Sequence, residues 1–416
     1  MLGRIEAVSV KKALSLLDSI ELVTLPVLDV HILDGCGRII AEEITADEDL
    51  PGFPKSTMDG YAVNAKDTFG ASETIPQFLK LFGQDVFMGE QPDFSLAPGT
   101  AAKIPTGGML PPGSDAVVML EHTNAIDDAM VEITRAVAPG DNVIQPGEDV
   151  RAGEKLFPAG HRLRPQDVGC LAGCGKTSVP VYEKPIVSII STGNEIVAPE
   201  LPLPKGKVRD INSYNLHALV LGAGAVPAIK GIFKDDFRCL KEAVEESLVS
   251  SHMVLISGGS SVGTMDYTER IINTLGAPGV IFHGVAVKPG KPLIAGVAGG
   301  KPVFGLPGHP AAVYASFKIF VERVLRRLAG QRIPYECPWQ NPQIKARLTK
   351  NLSSVPGRVD YVWVKLSLED GAVLAEAVLG KSGLITTLAI ADGYITVDED
   401  RRGIPAGEEV NVRLFS

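Results

Sequence analysis

Residues 254–267 read VLISGGSSVGTMDY: an apolar run, a Gly/Ser loop, then an acid where a helix begins. Read physically, this is a strand, an anion cradle and a helix N-terminus. Gly258, Gly259 and Gly263 let the backbone approach a ligand closely, Ser260 and Ser261 offer hydroxyls, and the helix aims its free N–H groups at the same place. Two more Gly/Pro turns follow, VKPGKP at 287–292 with Lys288 and Lys291, and GLPGHPAA at 305–312. One such loop can simply end a strand in any α/β fold; three close together point to a site.

Around this stretch, from 184 to 330, strands and helices alternate. PIVSIIS leads to TGNE and a helix with Leu216, Leu219 and Val220; VPAIKGIF leads to Asp235 and Asp236, placed to cap a helix bearing Phe237, Leu240, Val244 and Leu248. A last helix starts at Pro310 and stops at Gly330. The alternation predicts a parallel sheet with helices on both faces and ligands at the carboxyl ends of its strands.

Working outward, residues 8–20 predict a helix with Ser9 as N-cap and Val10, Ala13, Leu14 and Leu17 on one face. Residues 21–43 read as extended. LPGFPKSTMDGYAV at 50–63 opens a loop whose polar cluster, Ser56, Thr57 and Asp59, reads either as a site or as an ordinary capped turn. Short strands and turns fill 70–146, with Thr106 on a glycine-flanked turn. GEDVRAGE at 147–154 places Glu148 and Asp149 beside Arg151, and a short helix is predicted over 167–172. Beyond 330 a Pro-bearing linker leads to period-two alternation in VDYVWVKLSL and a hairpin signal at Asp370 and Gly371, which predicts a small β-barrel or sandwich.

The chain has 416 residues, 45% hydrophobic and 21% charged, enough for several cores. Its 49 acids against 40 bases give a net charge of −9, which argues against a general nucleic-acid or membrane-surface binder while allowing a local basic pocket. The five cysteines are scattered and the longest apolar run, 218–229, is interrupted, so a soluble, cytoplasmic protein is expected. Cys170 and Cys174 read as small core residues.

Eight motifs in order then carry a family resemblance: STMDGYAV at 56–63, IPTGGMLPPGSDAVV at 104–118, GEDVRAGE at 147–154, STGNEIV at 191–197, RDINSYNL at 209–216, SGGSSVGTMDY at 257–267, VKPGKP and GLPGHPAA. The chain resembles the molybdopterin molybdenumtransferases, the molybdenum insertase family of MoeA proteins and the gephyrin E domain. That resemblance implies a multidomain α/β fold: a three-layer α/β/α unit (7–20 with 181–329), a linking subdomain (21–44 with 147–180), a β-rich insert (45–146) and a C-terminal β-barrel (330–416). It implies a cytoplasmic homodimer that inserts molybdate, or tungstate, into adenylylated molybdopterin with loss of AMP and help from Mg²⁺, supplied by a molybdopterin adenylyltransferase.

The same resemblance implies residue roles. Glu195, Asp236 and Asp266 would lie near metal and phosphate, and Asp59, Thr106 and Asp149 would complete the cleft from the partner subunit. Ser257, Gly258, Gly259, Ser260, Ser261 and Gly263 would cradle the cofactor. Lys288 and Lys291, with Pro292, Arg358 from GRVDY and Ser382 from GKSG, would hold the oxyanion, Lys288 catalytically. This chain departs from many relatives at Pro54 and Lys55, at Gly284, and at 309–312. Two alternatives are a nucleotide hydrolase of the competence-damage-inducible type, which would lack the insert and barrel, and a dimeric scaffold without turnover.

Overall fold

The computed structural model describes residues 7–258, 262–332, 342–381 and 383–415, with the backbone alone for 262–265. Gly259, Ser260, Ser261 and Ser382, and most of the linker after 330, lie outside the described residues.

The central sheet has six strands in the order Val226–Phe233, Ile186–Thr192, Met253–Gly258, Lys301–Leu306, Ile294–Ala298, Gly279–His283. Side chains alternate between two cores. Val187, Ile189, Leu255 and Phe304 pack with Ala13 and Leu17 of the first helix, with Leu216 and Val220, and with the last helix. Ile190, Val254, Ile256 and Val303 face Leu240, Val244, Ile271 and Ile272. Both faces are therefore covered, which is why the strands read as continuous apolar runs.

The sheet departs from the expected all-parallel arrangement. Its first four strands are parallel; Ile294–Ala298 runs against them, and Gly279–His283, antiparallel to it, returns to their direction. Gly299 and Gly300, both at positive φ, are the whole connection between Ile294–Ala298 and Lys301–Leu306. Two residues make a tight hairpin, whereas a parallel crossover needs a dozen or more.

The first helix, Val10–Asp18, is capped by Ser9, whose hydroxyl accepts from Lys12 N. The last begins with Pro310 and carries a π-helical segment, Phe317–Val321, before ending at Leu328. The C-terminal strands Gln343–Leu348, Val359–Glu369, Ala372–Ala377, Gly393–Val397 and Glu409–Leu414 form a closed ring, because Val359–Glu369 pairs with both Ala372–Ala377 and Gly393–Val397. Asp370 and Gly371 both adopt positive φ in the tight turn that their sequence predicts. Trp363 and Phe415 pack on Tyr314 of the last helix, with Tyr394 behind Trp363, fixing barrel to sheet unit.

Val287–Lys288 joins this ring rather than the central sheet, pairing in parallel with Val359–Asp360. The lysine loop thus follows a strand stitched to the barrel. Elsewhere, Val27–His31 pairs with Ser178–Tyr182, and a six-stranded sheet orders Ala116–Met119, Gly60–Val63, Thr100–Ile104, Gln77–Leu81, Met130–Ile133 and Thr123–Ala125.

The helix Pro165–Gly173 leaves Cys170 exposed and buries Cys174 at its C-cap, so only Cys174 is the core residue expected of both. Asp167 on that helix is almost fully buried and accepts from His161 Nε2 at 2.7 Å, Arg164 Nη2 at 2.8 Å and Arg164 N at 2.8 Å. Burial alone would raise its carboxyl; the bonds from Arg164 and His161 outweigh that and hold it down to about 2. Its folded pKa lies below the unfolded value near ~4, so its stabilisation is complete above about pH 4 and lost as pH falls toward 2. Thermal melts between pH 5 and 2 are therefore expected to show the wild type losing Tm faster than Asp167→Asn, the two curves converging in acid. Parallel curves would assign the acid sensitivity elsewhere.

Candidate active site

Where the sheet unit meets the barrel, a crevice of about 1120 Å³ opens. Its walls come from the lysine loop, from the 307–312 turn, from Asp266 on the helix after the Gly/Ser loop, and from barrel residues including Arg358 and Asp360. Of the residues implicated by sequence, Asp266, Lys288, Lys291, Pro292 and Arg358 line it together.

Each is placed by local chemistry. Gly290 adopts φ +115, and a Cβ there would stand 3.0 Å from the Ser316 hydroxyl, so the loop lies flat on the last helix. Lys288 and Lys291 remain exposed on either side of it. Arg358 Nε donates to Asp360 Oδ1 at 2.7 Å, and Lys288 Nζ stands 4.0 Å from Asp360 Oδ2. The 307–312 turn is anchored by Asn212, whose Nδ2 donates to Gly308 O at 2.8 Å. At the carboxyl ends of the strands Gly258 takes φ +138, with its missing Cβ 1.9 Å from Thr192 O, a position no other residue fills without moving the backbone. Ser257 is fully buried and its hydroxyl has no protein partner among the described residues, so it lies beneath the surface rather than on it.

The remaining acids stand apart from the crevice lining. Asp236 is an N-cap, accepting from Cys239 N at 2.9 Å, and these bonds hold its carboxyl below the usual range. Asp235 is the acid that turns to the neighbouring strand end, accepting from Thr192 Oγ1 at 2.9 Å and Asn194 N at 3.3 Å. Glu195 is exposed and folds its carboxylate back over Gly193 in the same loop. Among the described residues no three His, Cys, Asp or Glu side chains are gathered to cage a metal ion.

In the β-rich sheet Asp59 accepts from Thr106 N at 2.7 Å and Thr106 Oγ1 at 3.0 Å, which keep its carboxyl below the usual range. Ser56 N donates to Gly108 O, and Thr57 N to Asn142 O. That loop is thus satisfied by its own unit, as in the capped-turn alternative drawn from the sequence. Asp149 is exposed on the adjoining turn, its N–H donating to Leu50 O. Sequence reading missed His283, His309, Lys381 and Asp360 in the crevice wall. Only Asp360 carried a usable signal, since residues two apart on a strand share a face and Arg358 was already implicated.

The chain thus joins a three-layer sheet unit, with a crevice bearing lysine and arginine at one end, to a β-rich sheet and a closed barrel. A family model described as "Probable molybdopterin binding domain" matches residues 188–327, the MoeA N-terminal region (domain I and II) matches 8–175, and the MoeA C-terminal region (domain IV) matches 345–415. The chain is 34% identical to the molybdopterin molybdenumtransferase of Bacillus subtilis, over 93% of this chain and 89% of that one. It is 35% identical to that of a Nostoc species, over 92% and 88%. A crystal structure of the molybdopterin biosynthesis MoeA protein from Pyrococcus horikoshii superposes with a TM-score of 0.81 at 38% identity, covering 99% of this chain and all of that one. The chain belongs to the molybdopterin molybdenumtransferase family, the MoeA proteins. No helix among the described residues is long and apolar enough to cross a membrane.

Proposed function

We propose that this chain inserts molybdate, or tungstate, into adenylylated molybdopterin and releases AMP. The observation that carries this is the convergence of Lys288, Lys291 and Arg358 on one crevice that Asp266 also lines. Molybdate and the pyrophosphate link are oxyanions, and fixed cations in a partly closed site favour them and the charge that develops as the AMP link breaks. Lys288 and Lys291 act as point charges, while the planar Arg358 fork fits two oxygens at once. Pro292 stiffens the loop, and the N-terminus of the helix that begins at Val262 would favour phosphate.

In this reading Asp266, with Glu195 from outside the crevice lining, would offer hard oxygen donors to Mg²⁺, and the ion would screen phosphate charge. Asp236, already a cap, is the weakest of the three acids for that task. The four-part division drawn from the sequence belongs to the same reading, as does a homodimer in which Asp59, Thr106 and Asp149 of one subunit complete the crevice of the other. Upstream, an adenylyltransferase acting on molybdopterin must provide the substrate.

Native mass spectrometry with adenylylated molybdopterin tests the assignment. One substrate retained per chain is expected, stable until molybdate is added. Release of AMP without molybdate would favour a nucleotide hydrolase, and no retention would favour a scaffold.

A further inference from the structure

Asp360 is buried at 3% exposure, yet it lies in the wall of a crevice that Lys288, Lys291 and Arg358 also line. A buried carboxylate beside an oxyanion site is costly twice over, through its own desolvation and through repulsion of the ligand. Its contacts suggest what offsets that cost. Oδ1 accepts from Arg358 Nε at 2.7 Å, Oδ2 stands 3.4 Å from Arg358 Nη2, and the same oxygen is 4.0 Å from Lys288 Nζ. Backbone pairing reinforces the arrangement: Lys288 is the register partner of Asp360, and Val359 N donates to Ala286 O at 3.0 Å. One carboxylate thereby stands between a cation of the barrel, to which it is hydrogen-bonded, and a cation of the lysine loop.

We infer that Asp360 is a positioning residue, orienting Arg358 and Lys288 across the junction of barrel and sheet unit so that both face one oxyanion. The inference rests on the oxyanion reading of the crevice given above. Without Asp360, two long like-charged side chains would separate and lose the shared geometry. Arg358 keeps N–H groups to spare, because a guanidinium has five donors and Asp360 engages one edge.

The two possible roles of this carboxylate have opposite signs. If Asp360 acts only as a nearby negative charge, removing it makes the crevice more positive and tightens anion binding. If it positions the cations, removing it weakens binding. The test is calorimetric titration of sodium molybdate, with sodium sulfate as comparison anion, into the full chain and its Asp360→Ala, Asp360→Asn and Arg358→Ala variants, with a thermal melt of each. Asp360→Ala is expected to raise the molybdate Kd about tenfold, and Asp360→Asn, whose amide oxygen still accepts from Nε, about threefold. Combined with Arg358→Ala, the Asp360→Ala change is expected to add less than it does alone. Unchanged or tighter binding in folded Asp360→Ala overturns the inference and leaves the crevice assignment standing. Should that variant fail to fold, unchanged or tighter binding in Asp360→Asn does the same. Wild-type protein that binds neither anion overturns the crevice assignment and this inference together.

Discussion

Lys288→Ala and Lys291→Ala are each expected to lower molybdate-dependent turnover at least tenfold, about 1.4 kcal/mol of transition-state stabilisation. The two differ in setting. Lys288 is shared with Asp360 at 4.0 Å, whereas Lys291 is exposed and has no ion-pair partner among the described residues, so its ammonium is wholly available to a ligand. Lys291→Ala should therefore cost more, and the double variant more than either. Replacement by arginine should restore activity only in part, because a planar fork fits a point-charge position poorly. Lys11→Ala and Lys12→Ala, on the exposed side of the first helix, serve as controls and should leave turnover unchanged. Wild-type turnover and molybdate dependence in both loop variants would show that the loop is structural.

The second large effect follows from the proposal that the crevice is shared between two subunits. Asp59 is exposed, its carboxylate fixed by two bonds from Thr106, and neither residue lines the crevice of its own chain. In the shared-crevice reading this carboxylate, fixed at the surface by Thr106, serves the crevice of the other subunit. Asp59→Asn homodimers and Lys291→Ala homodimers are each expected to be nearly inactive. Co-expressed and purified as mixed dimers, the two variants should recover up to about half of wild-type turnover, because one of the two shared sites then contains both native residues. Mixed dimers no more active than the parents would place Asp59 and Lys291 in one subunit's site, or Asp59 in none.

Much of this molecule is legible in its sequence for identifiable reasons. The central sheet shows because its strands are buried on both faces and punctuated by glycine, and the barrel hairpin shows because Asp370-Gly371 suits positive φ. The reversed strand 294–298 was hidden, since periodicity carries no direction; the two-glycine connection at 299–300 was the one clue. The lysine loop was found by composition, but its pairing with Val359–Asp360, which makes the crevice, is a long-range contact that no local pattern encodes. Asp235 and Asp236 are neighbours of equal propensity, so sequence could not tell which one caps the helix and which meets Thr192. Asp360 went unread because a carboxylate beside an anion site looks unfavourable until its two cations are in view.

AMP release from adenylylated molybdopterin, followed with and without molybdate, tests the central claim most directly. The account predicts little release without the oxyanion, release that rises and saturates with molybdate, and a loss of that dependence in the Lys288→Ala, Lys291→Ala double variant. Release at the same rate whether or not molybdate is present, or none under either condition, would contradict it.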